Sequence, residues 1–224
     1  MSVLYGVGVG PGDPELMTLK AVRIIKECDV IALPCENPKE ALAYNIAVKA
    51  VREIEEKKLL GIPMPMVKNS EELLASHDMG AKKILSELDA GKSVAFLTLG
   101  DPGVYSTFTY IKRIVEANNY STYTINGITS FLSSAALINQ SLVEQDESLH
   151  IIPANYGIDE AMSYEGTKIF MKAGKKLKEI KDKLKNTEKR VWFIENCGLD
   201  GETVLEGVEN IPDQAGYYSI LIIK

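Results

Sequence analysis

Apolar, β-branched stretches alternate with amphipathic ones along the whole 224-residue chain, and the most apolar of them empty directly into glycine-bearing turns. Residues 3–9 run into Gly10-Pro11-Gly12-Asp13-Pro14, and residues 93–99 run into Gly100-Asp101-Pro102-Gly103. Apolar runs of this length read as strands buried on both faces, and the periodic segments between them read as covering helices. Such alternation specifies an α/β fold.

The same reading fixes the remaining elements. Leu16, Leu19, Ile24 and Ile25 mark a helix whose wet face carries Lys20, Arg23 and Lys26. Residues 29–34 predict a short strand, 39–56 a helix, and 59–66 a strand that its prolines confine to an edge. Residues 70–90 carry a capping Ser70, acids in the first turn and Gly91 just beyond, a helix with both end signals. A strand over 93–99 and a helix over 106–117 complete the first half. The polar run Asn118-Asn119-Tyr120-Ser121-Thr122 lacks periodicity and predicts a boundary near 118–124, giving domains of residues 1–120 and 121–224. In the second half, strands are expected at 122–125, 149–152, 167–171, 190–194 and 217–223, and helices at 129–139 and 175–184. The expected architecture is therefore two α/β domains with mixed sheets and an interdomain cleft, a common place for a ligand.

Composition narrows the function. With 46% apolar and 25% charged residues the chain is of ordinary globular type. A net charge of −6 argues against a general nucleic-acid coat, so no nucleic-acid partner is expected. The charge is uneven: residues 168–190 hold ten Lys/Arg against three acids, leaving 15 basic and 28 acidic groups elsewhere. The plain reading is a solvated helix face; the functional one is a positive lobe that attracts a polyanionic substrate. Cys28, Cys35 and Cys197 are odd in number and lack paired ligand spacing, which suggests neither a disulfide framework nor a metal site. The first residues lack a basic stretch followed by a long apolar run, and no stretch approaches the roughly 18 apolar residues of a membrane span. A reduced cytoplasmic protein with no membrane partner is expected.

Three strand exits stand out as candidate ligand loops. Glycines in residues 6–14 allow close backbone approach, and Pro11 and Pro14 stiffen the loop. Pro11 and Asp13 break the dinucleotide fingerprint, and no Gly-Lys-Ser/Thr follows. Leu99-Gly100-Asp101-Pro102-Gly103-Val104-Tyr105-Ser106 lies at the carboxyl end of a strand, where α/β sheets bind ligands. Asp101 there either accepts hydrogen bonds from a ligand or caps the next helix. Asn126-Gly127-Ile128-Thr129-Ser130 is a third turn before a helix. His77 and His150 are far apart in sequence and suggest no dyad or metal triad, and no nucleophile motif is present.

Together, VGVGPGDPELMTLKA (7–21), LGDPGVYSTFTYI (99–111), INGITSFLSSAA (125–136) and YYSILIIK (217–224) resemble the tetrapyrrole methylases, a family of S-adenosylmethionine-dependent enzymes with two α/β domains. The GDPGVYSTFTYI run and the Tyr-Tyr-Ser ending are most similar to the branch that methylates C20 of precorrin-2 or cobalt-factor II in corrin biosynthesis. The resemblance implies that S-adenosylmethionine is held mostly by main chain at Pro11, at Leu99, Gly100, Asp101 and Val104, at Thr129 and Ser130, and at Met171. It implies further contacts near Cys197 and Ser219. Many members have Pro-Gly-Ile where this chain has Asn126-Gly127-Ile128, a change that softens the turn without removing a ligand group. A homodimer and a tetrapyrrole substrate are implied as well.

Methyl transfer to an electron-rich carbon relies on alignment at about 3–3.5 Å more than on strong catalytic groups. No catalytic residue is assigned; Tyr105, Glu195 and Tyr218 stand as candidates to take the proton released after attack. Because the substrate is a polycarboxylate, residues 168–190 are expected to border the mouth of the cleft. The alternatives are another acceptor on the same fold (a precorrin-4 C11-methylase, a diphthine synthase or an rRNA 2′-O-methylase), a non-catalytic nucleotide-binding regulator, or a ligand-free scaffold.

Overall fold

Successive strands of the N-terminal half are short and linked through helices, and this connectivity yields a parallel sheet. A computed structural model describes residues 2–64, 70–154, 157–185 and 187–224. The chain divides into two units, 1–129 and 130–224.

The first unit runs β1 (Val3–Gly8), α1 (Leu19–Glu27), β2 (Val30–Leu33), α2 (Leu42–Ala50), β3 (Lys58–Gly61), α3 (Ser70–Asp89), β4 (Val94–Thr98), α4 (Phe108–Ala117) and β5 (Ser121–Ile125). Its five strands pair in the order β3-β2-β4-β1-β5, all parallel. This sheet is thus parallel where a mixed one was expected. β3 takes the predicted edge position. Residues 65–66 of the predicted strand and the side chain of Ser70, predicted to cap α3, lie outside the described residues.

α1 shows how the sequence sets an element. Thr18 Oγ1 accepts the N–H of Ala21 at 3.2 Å as N-cap, and Ala21, Ile24 and Ile25 form the buried stripe. The predicted helix over 39–56 is interrupted: Ala41 and Val51 have non-helical backbone, and α2 lies between two 3₁₀ turns. The breaks let the β-branched Val51 and Ile54 both be fully buried. On one face of the sheet, Leu4, Val30, Val94 and Phe96 meet Ile84 and Leu88 of α3 and Phe108, Ile111 and Val115 of α4. Full burial of a side chain such as Phe108 contributes about 1.5–3 kcal/mol.

The predicted boundary at residues 120/121 is corrected to one between Thr129 and Ser130. β5 belongs to the first sheet, lying along β1 in the register Val3↔Ser121 to Val7↔Ile125. The polar run before it is a tight α4–β5 turn and not a linker: Asn118 caps α4, and Asn119 takes the left-handed conformation at φ 65°.

The second unit runs α5 (Ser130–Leu137), β6 (Leu149–Pro153), α6 (Ile158–Ser163), β7 (Thr167–Met171), α7 (Leu177–Leu184), β8 (Val191–Glu195), β9 (Thr203–Glu206) and β10 (Ser219–Ile223). Its sheet is mixed, in the order β6-β7-β10-β8-β9; β6 and β7 are parallel and the other pairs antiparallel. α6 and α7 cover one face, packing Ile158, Ala161, Leu177, Ile180 and Leu184 on Ile152, Phe170, Phe193, Leu221 and Ile223. α6 and β9 were not anticipated. Each is short, and β9 only half-buries Thr203 and Leu205 at the sheet edge.

Candidate functional site

Because the strands of the first sheet are parallel, the loops after β1, β4 and β5 emerge at the same edge, and those strands are neighbours. The connection from β1 runs toward β2, and that from β4 runs the opposite way to β5. The edge between β1 and β4 is therefore a topological switch point, the crevice at which open α/β sheets bind ligands.

The loops after β1 and β4 are tied to one another by main chain. Val9 N donates to Thr98 O at 3.0 Å; Gly10 and Gly100 then exchange two hydrogen bonds, at 3.3 and 2.7 Å. Pro11 and Gly100 are buried beside this bridge, and Leu99 and Val104 are half-buried. A Cβ on Gly8 would stand 2.5 Å from Gly100 O, and one on Gly127 would stand 2.1 Å from it, so neither position accepts a side chain without moving backbone.

Asp101 fastens the third loop to the second. Its Oδ2 accepts the N–H of Gly127 at 3.0 Å and Asn126 Nδ2 at 3.2 Å, while Oδ1 accepts the N–H of Gly103 at 2.6 Å. Both carboxylate oxygens are thus occupied within the protein. Thr18 adds a second tie, donating through Oγ1 to Asn126 O at 3.2 Å while it caps α1. Thr18 was not singled out from sequence, and Gly127 only as part of the third turn; the capping pattern before α1 and the tight Asn-Gly turn are the signals they left.

Two further features sit on these loops. Thr129 Oγ1 is buried and has no hydrogen-bond partner among the described residues. An orphaned hydroxyl costs free energy unless a ligand satisfies it. Tyr105 has φ 47°, a left-handed backbone that costs a non-glycine residue about 1–2 kcal/mol and is concentrated at ligand sites. Its ring is about half exposed, and partial burial raises the phenol pKa.

In the second unit Met171, Ser219 and Cys197 gather at one end of the sheet. Ile220 is the register partner of Met171, and Ser219 is that of Glu195. Met171 O accepts the N–H of Ala154 at 2.9 Å, and the buried Ser219 donates through Oγ to Gly216 O at 2.9 Å. Cys197 lies just past β8, with Sγ 3.4 Å from Ser133 Oγ of α5. Glu195 Oε1 accepts the N–H of Gly216 at 2.5 Å, which shapes the turn that carries Tyr217 and Tyr218. Burial and the neighbouring Tyr217 raise the Tyr218 pKa, so neither this phenol nor Tyr105 is a base at neutral pH.

The basic segment does not form one lobe. Lys168 and Ile223 pair at the end of the sheet remote from Met171, whereas Lys172 follows Met171 and lies 5.1 Å from the centroid of the Tyr217 ring. Lys176–Glu179, Lys181–Asp213, Lys183–Asp159 and Lys185–Asp182 form ion pairs. Part of the run is thus paired with acids and its cations lie at both ends of the sheet, which favours the plain reading of a solvated face over a single positive lobe. His77 is buried and stacked on Tyr110, with its Nε2 lacking a hydrogen-bond partner among the described residues, and His150 Nε2 bonds to Glu165 O at 2.9 Å. Among the described residues no group of three or more His, Cys, Asp or Glu is placed to hold a metal, and no helix is long and apolar enough to cross a membrane.

Comparison with known proteins gives a consistent assignment. Residues 3–211 match the model of the Tetrapyrrole (Corrin/Porphyrin) Methylases. The chain is 34% identical over 228 residues to the "probable cobalt-precorrin-2 C(20)-methyltransferase" of Methanocaldococcus jannaschii, covering 99% of this chain and 95% of that protein. It is 28% identical to the cobalt-precorrin-2 C(20)-methyltransferase of Salmonella typhimurium, covering 99% and 95%. Among solved structures, a cobalt precorrin-4 methyltransferase superposes with a TM-score of 0.78 at 16% identity, covering 99% of this chain and 94% of that one. The uroporphyrin-III C-methyltransferase of Thermus thermophilus, complexed with S-adenosylhomocysteine, gives 0.70 at 18%, covering 98% and 91%. At such identities these structures establish the fold alone. The family match spans nearly the whole chain, and the chain belongs to the tetrapyrrole (corrin/porphyrin) methylases.

Proposed function

We propose that this protein transfers the methyl group of S-adenosylmethionine to C20 of precorrin-2 or its cobalt form, in cobalamin biosynthesis. The full-length 34% identity to a protein named for C20 methylation carries the choice of acceptor carbon. The loop cluster after β1, β4 and β5 supports use of the donor, because its residues fit one. Gly8 and Gly127 keep the edge free of side chains, and Thr129 Oγ1 is a buried hydroxyl that a polar ligand would satisfy.

The donor-contact positions we carry over from the family are Pro11, Leu99, Gly100, Asp101, Val104 and Thr129 in the first unit. In the second unit they are Ser130, Met171, Cys197 and Ser219. Bound S-adenosylmethionine supplies a sulfonium-activated methyl group, whose transfer to carbon releases a neutral thioether. The chain's own contribution is to hold and align. The Gly10–Gly100 bridge and the Asp101 tie fix the loop main chain before a ligand arrives, so little ordering is left to be done on binding. Tyr105 and Tyr218, held as neutral phenols, donate hydrogen bonds and do not abstract protons. We further propose that the protein acts in the cytoplasm as a homodimer; the first part is supported by Cys28, Cys35 and Cys197 all being free thiols.

The test is incubation with donor carrying a ¹³C-labelled methyl group and, in turn, metal-free and cobalt-bearing acceptor. A single labelled product with its new carbon bonded to C20 is expected. Labelling at C11, or donor binding with no turnover on either acceptor, would overturn the proposal.

A further inference from the structure

The second unit holds a pair of cations outside the carried-over donor positions. Lys168, second residue of β7, is 1% exposed, and its Nζ donates to Gly166 O at 3.1 Å. Beside it lies a cavity of about 500 Å³ at the end of the sheet opposite Met171 and Ser219. Asp159 of α6, Lys183 of α7 and Lys185 border this cavity, as do Asp182, Thr187 and Lys189.

The charges around the cavity sort into paired and unpaired. Lys183 pairs with Asp159, and Lys185 with Asp182 at 2.7 Å. His150, the register neighbour of Lys168 on β6, is engaged with Glu165 O. This leaves Lys168 and Lys189 next to each other, with no carboxylate in ion-pair reach among the described residues. Burial and the adjoining Lys189 charge push the Lys168 pKa down to about 8. Two neighbouring ammonium groups at the edge of an apolar layer destabilise one another until an anion is placed between them. Thr187 Oγ1 accepts the N–H of Lys189 at 3.2 Å, which leaves its own proton for a ligand.

We propose that Lys168 and Lys189 form an accessory site for a dianionic phosphoryl group, carried by free phosphate or by a phosphate monoester. Two ammonium groups with a hydroxyl match the compact charge of a phosphoryl group, whereas a planar carboxylate is better matched by the fork of an arginine. The cavity is large enough to admit an organic body behind the phosphoryl group. The site lies about 10 Å along β7 from Met171, at the strand rise of about 3.3 Å per residue, so its occupancy does not compete for the carried-over donor positions.

The experiment is calorimetric titration of the full chain with inorganic phosphate near pH 8.2, in two buffers of different ionisation enthalpy. Millimolar or tighter binding with net proton uptake is expected, because a bound dianion raises the Lys168 pKa. Lys189→Ala, a change at an exposed residue, should weaken phosphate binding about tenfold or more by removing a charge-assisted contact. Lys168→Met, similar in volume, should abolish the proton uptake. Glycerol phosphate distinguishes the sources: affinity about tenfold above that of phosphate identifies an ester ligand, and equal affinity identifies free phosphate. Absence of binding at about 10 mM phosphate, binding without proton uptake, or binding unchanged in Lys189→Ala would overturn the proposal.

Discussion

Asp101 and Gly127, 26 residues apart, are joined by a 3.0 Å hydrogen bond from the Gly127 N–H to Asp101 Oδ2, which locks the loop after β5 to the loop after β4. The carboxylate serves the protein's own backbone before it serves any ligand. Asp101→Ala leaves the N–H groups of Gly103 and Gly127 without this acceptor and should destabilise the first unit by about 2 kcal/mol. Urea unfolding measures the loss, and calorimetry should show weaker binding of S-adenosylhomocysteine. Wild-type stability and affinity in the variant would show that the tie is dispensable.

Gly127→Ala tests close approach in place of hydrogen bonding. The new Cβ would lie 2.1 Å from Gly100 O, and the loops must part to relieve it. A cost of about 1–3 kcal/mol is expected, as for other overpacked sites. Circular dichroism should keep its wild-type shape while S-adenosylhomocysteine affinity falls by a similar free energy.

Thr129→Val separates ligand binding from folding. Its hydroxyl is buried without a partner in the free protein, so replacement by an isosteric methyl should leave stability unchanged or raise it. Donor affinity should nevertheless drop about fivefold, near 1 kcal/mol, if a ligand satisfies that oxygen. Thr129→Ser should retain wild-type affinity. A fall in stability together with unchanged affinity would assign Thr129 to the fold alone.

Stability at alkaline pH should report on Cys28. Burial raises its thiol from 9.0 to about 11. The folded state therefore holds a proton that the unfolded chain has already released, and its stabilising contribution is complete below pH 9 and lost as pH rises through 11. A shift of this size corresponds to about 2–3 kcal/mol. Urea midpoints at pH 8 and pH 10.5 should differ more for the wild type than for Cys28→Ala. Equal differences would show that the thiol is not linked to folding.

Most of the fold is written in local patterns. The apolar, largely buried runs at Val3–Gly8 and Val94–Thr98 and the capped stripe of α1 specify their elements without tertiary help. What local pattern could not carry was partnership. The Asn118–Thr122 turn looks the same whether the following strand starts a new domain or completes the old sheet, and only pairing of Ser121–Ile125 along β1 decides it. The parallel order β4-β1-β5 likewise turns three separate glycine-bearing exits into one edge. The use of both Asp101 oxygens within the protein depends on a contact 26 residues away, beyond any local motif. Asp159 and Asp213, which pair with part of the charge run at residues 168–190, lie outside the run for the same reason and do not enter its local count.

Main chain at residues 99–101, together with Pro11 and Thr129, is proposed to receive the methyl donor. A crystal structure of the protein with S-adenosylhomocysteine decides this. The ligand is expected against that main chain, with Thr129 Oγ1 in a hydrogen bond. Ligand density elsewhere on the protein, with Thr129 Oγ1 still unpartnered, would rule the site out.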